Sequence, residues 1–277
     1  LGGRSGKAGF RAWAGLVPAG SEAGNKRAHI AYTNLLASGI AGKRDWPAAL
    51  ARLRDEARED AGRALVLARI EAMDLDERGD PAALPPPDRL SARGRALCRR
   101  LHGRGMRLPA RDRRSGLEAV PRERRQRRLR AGSDPHRRGL DDALADRGPA
   151  IHAFNRRLAA LSGTTPEQGE ALQLLRYRPG RQYHPHVDWD AGDNGRIKTA
   201  LVYLNEDYEG GETLFVKTGL KVKGRTGDVL VFASIGPDGG LDPLSEHAGL
   251  PVETGVKYLA SRWIHARPYR PSRALVG

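Results

Sequence analysis

The order of apolar and polar residues divides the chain into three textures. From residue 28 to 75 apolar side chains recur at helical spacing. AHIAYTNLLASG, residues 28–39, predicts a helix closed by Gly39 as its C-cap. Asp45-Trp46-Pro47 predicts a second start, with Asp45 as N-cap and a proline in the first turn. AALARLRDEARED continues that helix, and GRALVLARIEAMDL predicts a third with Leu65, Leu67 and Ile70 as its buried stripe. Pro85-Pro86-Pro87 then breaks the pattern. From Ile151, IHAFNRRLAALSG predicts an amphipathic helix ending at Gly163. Beyond it ALQLLRY, KTALVYL, ETLFV, DVLVFA and KYLASRWIH read as short strands, rich in β-branched and aromatic residues, with EGGE, KGRTGD and PDGG as turns. Helices followed by many short strands predict an α+β chain whose strands form a sandwich or jelly roll.

Three parts follow: a helical segment over 1–80, a Pro/Arg-rich linker over 81–148 and a strand-rich domain over 149–277. Helix, Gly turn and helix in the first part resembles the tetratricopeptide and Sel-like helical repeats over about one and a half units, fewer than the three or so a free-standing solenoid needs.

Charge changes the picture of the middle part only. Of the net +15, residues 88–148 carry +11, from 19 Arg, no Lys and 8 acidic residues, leaving +4 elsewhere. This stretch, which includes RERRQRRLR at 122–130, has no aromatic residue and one β-branched aliphatic, Val120. It holds too little apolar surface to offset its ordering entropy. A phosphate-binding arm is the functional reading. A solvated, disordered linker, or a frame-shifted stretch of a GC-rich gene, accounts for the same composition, so nucleic acid is not the expected partner. The single Cys98 excludes an internal disulfide. No long apolar run or leader pattern is present, so no membrane partner is expected and a soluble cytoplasmic protein is the expectation. The sequence opens at Leu1 without a methionine, as a fragment or a displaced start would.

Candidate chemistry gathers near the C-terminal end. HPHVD contributes His186 and Asp188, and SEHAG contributes His247. Two imidazoles and one carboxylate are the ligand set of a non-haem Fe(II) oxygenase, which keeps its other coordination positions open. On a strand, residues two apart share a face, so His186 and Asp188 are expected to reach one metal from one strand, with His247 arriving from a distant one. His184 shares that face and is a competing ligand. Lys257, ten positions beyond His247, is a candidate partner for a dicarboxylate cosubstrate such as 2-oxoglutarate.

YRPGRQYHPHVDWD, RIKTALVYLNEDYEGGETLF, GDVLVF and HAGLPVETGVKYLASRWIH, in this order over about 170–267, resemble the catalytic core of the prolyl 4-hydroxylase-like Fe(II)/2-oxoglutarate dioxygenases. The resemblance implies a double-stranded β-helix. It implies His186, Asp188 and His247 as iron ligands, with no catalytic residue beyond the metal centre. Lys257 and Tyr177 would bind the far carboxylate of 2-oxoglutarate, and Thr199 and Trp263 would line the cosubstrate pocket. It further implies O2 as cosubstrate, ascorbate as reductant, and a prolyl or other residue of a peptide or protein as substrate, with release of succinate and CO2. In this family opening strands precede YRPG, where this chain has its Arg-rich stretch, so an incomplete barrel is expected. GGET reads as a turn, with Gly210 and Gly211 permitting it and Thr213 starting a strand. A cupin-type site using His184 and His186, and a non-catalytic interaction protein with a degenerate barrel, remain as alternatives.

Overall fold

The computed structural model describes residues 18–19, 21–22, 24–39, 42–84, 87–89, 96–98, 148–190 and 192–269. The chain divides into two units, residues 1–83 with 128–156, and residues 84–127 with 157–277. The basic run at 122–130 lies outside the described residues.

The first unit is helical: α1 (Lys26–Ser38), α2 (Trp46–Glu59), α3 (Ala61–Glu71) and the opening of α4 (Pro149–Ser162). Its boundaries follow the capping residues. The Asn25 side chain accepts from the Ala28 N–H, and Gly39 closes α1 at φ 71. Asp45 accepts from Ala48 to open α2. Asp60 closes α2 through its N–H to the Glu56 carbonyl and opens α3 by accepting from Arg63. The stripe expected on α3 is different from the one observed. Ile70 is buried, whereas Leu65 is half exposed and Arg63 is buried in its place. Residues 63 and 70 stand seven apart and share a face, and Leu65 falls off it. Arg63 tolerates burial because its Nε pairs with the equally buried Glu56 carboxylate, which also accepts from Thr33 Oγ1 at 2.5 Å. Among the described residues no helix is long and apolar enough to cross a membrane.

The second unit is built from antiparallel strands. Its major sheet runs β1 (Pro87–Arg89), β2 (Ala96–Cys98), β9 (Val229–Ala233), β5 (Arg196–Tyr203), β12 (Lys257–His265) and β3 (Gln173–Tyr177). The minor sheet runs β4 (Tyr183–His186), β10 (His247–Gly249), β7 (Thr213–Phe215) and β8 (Leu220–Val222), and β6 (Tyr208–Gly210) pairs with β11 (Val252–Gly255). All five strands expected from the apolar runs are present, and α4 ends at Gly163 with φ 64. The short β1 and β2 lie inside the stretch read as a linker, so the sheet continues two strands beyond β9, where opening strands had been expected to be missing.

Alternate residues of the major sheet face the minor one. Leu201 and Tyr203, Leu230 and Phe232, and Leu259 pack with Phe215 and Val222 into one core. Two facing antiparallel sheets enclosing such a core make the jelly roll. Tyr203 is fully buried, with its hydroxyl 3.2 Å from Thr213 Oγ1 and donating to the Val222 carbonyl at 3.3 Å. A Cβ on Gly224 would come within 2.3 Å of that ring. Gly224→Ala is therefore expected to destabilise the unit by about 1–3 kcal/mol, read as a lower denaturation midpoint; an unchanged midpoint would show that Tyr203 is free to shift.

Candidate metal centre

The two imidazoles meet because of strand register. His186 ends β4 and His247 begins β10, and these two residues are directly opposed in the ladder. Their rings lie 4.3 Å apart, and the Phe232 ring stands edge-on to His247 at 4.8 Å. Asp188 follows the end of β4 and is not part of it. The expectation of two ligands on one strand face is thus corrected: the ladder ends at the His186–His247 pair, and among the described residues the backbone beyond it has no strand partner. The carboxylate still reaches both rings, with Oδ1 3.7 Å from His186 Nε2 and Oδ2 3.6 Å from His247 Nε2. One ligand atom from each of the three lies within 4.8 Å of the others.

The tautomers suit a cation. A carbonyl oxygen only accepts, so each Nδ1 facing one carries the proton. His186 Nδ1–H donates to the His184 carbonyl at 2.7 Å, and His247 Nδ1–H donates to the Ser245 carbonyl at 3.0 Å. Both Nε2 lone pairs are left for a metal, beside a buried carboxylate. This donor set fits a divalent iron. His184 itself is solvent-exposed and stands outside the cluster, so the pair a cupin-type site would need is not assembled.

Thr199, expected to line the cosubstrate pocket, is fully buried on β5 beside the metal ligands, where its hydroxyl donates to Asp188 Oδ2 at 2.7 Å. That bond orients the carboxylate, and Leu201, two residues along the same face of β5, lines the pocket.

A pocket opens beside the three ligands over the face of β3 and β12 that is turned to the minor sheet. The register sets Tyr177 opposite Lys257, Leu175 opposite Leu259 and Gln173 opposite Ser261, and all six line it, with Trp263 farther along β12. Lys257 is 3 % exposed. Its Nζ donates to the Gly211 carbonyl at 2.7 Å, and among the described residues it makes no ion pair. Burial holds its pKa down at about 8. A buried ammonium with a single neutral acceptor is suited to an incoming carboxylate. The Tyr177 ring lies 5.6 Å from that ammonium, and burial pushes its hydroxyl pKa up, keeping it a proton donor. The indole Nε1 of Trp263 is buried without a partner among the described residues, and the Arg196 guanidinium covers the ring at 3.9 Å.

GGET is more than a turn. Gly210 and Gly211 both have φ 68, and this left-handed backbone aims the Gly211 carbonyl at Lys257. Gln173, Ser261 and Thr213 also line the pocket; the first two had no sequence assignment, and Thr213 had been read only as the start of a strand. Counting by twos from Lys257 and from Tyr177 reaches Ser261 and Gln173, but only the register shows that they face one cavity.

Residues 172–265 match the family model of the 2OG-Fe(II) oxygenase superfamily. Probable prolyl 4-hydroxylase 3 of Arabidopsis thaliana is 36% identical over 149 residues, 45% of this chain and 52% of the relative. Prolyl 4-hydroxylase 1 of the same plant is 37% identical over 138 residues, 43% of this chain and 49% of that one. The chain therefore spans about half the length of the curated relatives it matches. A solved viral collagen prolyl hydroxylase from Paramecium bursaria Chlorella virus-1 is 30% identical, covering 44% of this chain and 75% of its own at a TM-score of 0.39.

Thr199→Val is expected to weaken divalent-metal binding by about 10- to 100-fold, measured by Co(II) titration, with Thr199→Ser retaining affinity; equal affinity in all three proteins would show that Asp188 is held by other means. Lys257 also makes stability depend on pH. Its folded pKa of about 8 lies below the ordinary 10.5, so between these values the unfolded chain holds a proton that the folded chain has released. Its contribution to stability is fully present above about pH 10.5 and is lost as pH falls through 8. Lys257→Met is thus expected to be more stable than the parent at pH 7, on the order of 2–3 kcal/mol, with the gap narrowing as pH rises from 8 toward 10.5 in urea unfolding. Parallel profiles would mean that the ammonium is solvated.

Proposed function

We propose that this chain, whose C-terminal domain is a prolyl 4-hydroxylase-like 2-oxoglutarate–Fe(II) oxygenase domain, hydroxylates a prolyl residue of a peptide or protein. The observation that carries this reading is the joint presence, in one pocket, of three convergent metal ligands and a buried lysine that makes no ion pair among the described residues. A metal site alone would serve many reactions. The lysine specifies a second, anionic reactant beside it.

Bound Fe(II), together with 2-oxoglutarate and dioxygen, supplies an oxidant for an unactivated C–H bond and yields succinate and carbon dioxide. The protein's share is placement and exclusion of water. His186, Asp188 and His247 would hold the metal on one side and leave the other open. Thr199 fixes the carboxylate oxygen. The Lys257 ammonium would neutralise the far carboxylate of 2-oxoglutarate, and the Tyr177 hydroxyl would donate to it. Leu175, Leu201 and Leu259 line the space between and keep it dry, which strengthens those charge contacts. Tyr183 stands at the rim, 36% exposed, with its ring against His186 at 4.1 Å. An aromatic face beside the metal suits a pyrrolidine ring, in keeping with the prolyl hydroxylases among the relatives. Ascorbate would serve to keep the iron reduced.

The test is succinate release from 2-oxoglutarate in the presence of Fe(II), ascorbate and a proline-rich peptide, with hydroxyproline measured in the peptide. His186→Ala and Asp188→Ala are each expected to abolish both products. Lys257→Ala is expected to raise the KM for 2-oxoglutarate at least about tenfold, as loss of one partner of a buried charge pair does. Turnover retained in the Asp188→Ala protein would refute the ligand assignment; succinate without hydroxyproline would refute the substrate class.

A further inference from the structure

His247 is presented to the metal by a turn whose geometry is fixed from several sides. An imidazole free in water favours the tautomer with its proton on Nε2, the atom that must be bare to ligate here. Something in the protein has to reverse that preference before a metal arrives. The Ser245 carbonyl does so, receiving the Nδ1–H at 3.0 Å.

That carbonyl is not on a strand. It ends a short 3-10 turn, Pro243–Ser245, which begins at Asp242. The Asp242 carboxylate accepts from the Leu244 N–H at 2.9 Å. Its carbonyl accepts twice from Ser245, from the N–H at 2.9 Å and from the hydroxyl at 2.7 Å. The Asp242 N–H donates to the Ser234 carbonyl at 3.0 Å, tying the turn to the end of β9. On the far side the Glu246 N–H donates to Pro243 at 3.3 Å, and the Glu246 carbonyl accepts from Val216 at 2.9 Å. The groups on both sides of the Ser245 carbonyl are thus anchored, with the Asp242 side chain capping the turn that carries it, and the carbonyl faces the His247 ring. Ser245 is 1 % exposed, so water does not compete for that carbonyl. For His186 the carbonyl partner belongs to His184 on the exposed strand β4.

We propose that Asp242 is a positioning residue, which through the 243–245 turn holds His247 in the Nδ1–H tautomer and so sets the affinity of the metal centre. This rests on the reading of His247 as a metal ligand. Asp242 touches neither metal nor substrate in this role. It acts through the Ser245 carbonyl alone.

The experiment compares the parent with Asp242→Ala and Asp242→Asn, the latter retaining a side-chain oxygen to cap the turn. In the 15N-labelled, metal-free proteins the ring nitrogens of His247 report the tautomer directly, and Co(II) titration reports affinity. The parent and Asp242→Asn are expected to show His247 as Nδ1–H with similar affinities. Asp242→Ala is expected to move the ring toward Nε2–H and to weaken Co(II) binding by about 10- to 100-fold. An Asp242→Ala protein with the parent's tautomer would overturn the proposal, whatever its affinity. Should that variant not fold, Ser245→Ala, which removes one of the bonds to Asp242, is expected to show a smaller shift in the same direction, and no shift would overturn the proposal. A parent that holds Nδ1–H yet binds no Co(II) would support the positioning role and refute the metal-centre reading, so the two fail separately.

Discussion

The pairing of β10 between β4 and β7 is the constraint on which the site depends. It sets His247 opposite His186 on one side and opposite Phe215 on the other. A shift of one residue along this ladder would turn His247 to the opposite face of the sheet. The aromatic core opposes such a slip: Phe215 and Phe232 meet edge to face at 5.1 Å, and Phe232 abuts His247. Packing that stabilises the barrel and packing that aims a ligand are here the same contacts.

Around that pair the domain keeps charged groups where folding alone would not place them. Asp188 and Lys257 are both nearly inaccessible to water. The carboxylate is held by Thr199, and the ammonium by a single backbone carbonyl whose direction depends on a left-handed glycine. Neither is neutralised by a formal ion pair with the other. Buried charges of this kind lower stability until a ligand of opposite sign arrives. They are preorganised for binding: the barrel meets the desolvation of these groups in advance, so metal and dicarboxylate would find their partners already oriented and dry.

The helical unit follows a different logic. Its caps at Asn25, Asp45 and Asp60 each satisfy backbone groups within the next turn, so its boundaries are local events. Its buried face is not, because Arg63 occupies a place that apolar patterning assigned to Leu65. The exchange depends on Glu56, seven residues away on a different helix, and no property of α3 by itself signals it.

What the sequence determined by itself is what local chemistry and chain order encode. Caps and alternation located the helices and five of the strands. Residue types at fixed spacing made His186, Asp188, His247 and Lys257 candidates, because so few side chains can ligate iron or pair with a carboxylate, and the resemblance to the prolyl 4-hydroxylase core added Tyr177. The tertiary structure decided how those residues are held. Register brings His247 across 61 positions to His186. It sets the Thr199 hydroxyl against Asp188, and adds Gln173 and Ser261 to the pocket. It turns the Gly211 and Ser245 carbonyls, which carry no side-chain signature, into partners of Lys257 and His247. Backbone groups are the same at every position, so only the folded path of the chain distinguishes one carbonyl from another.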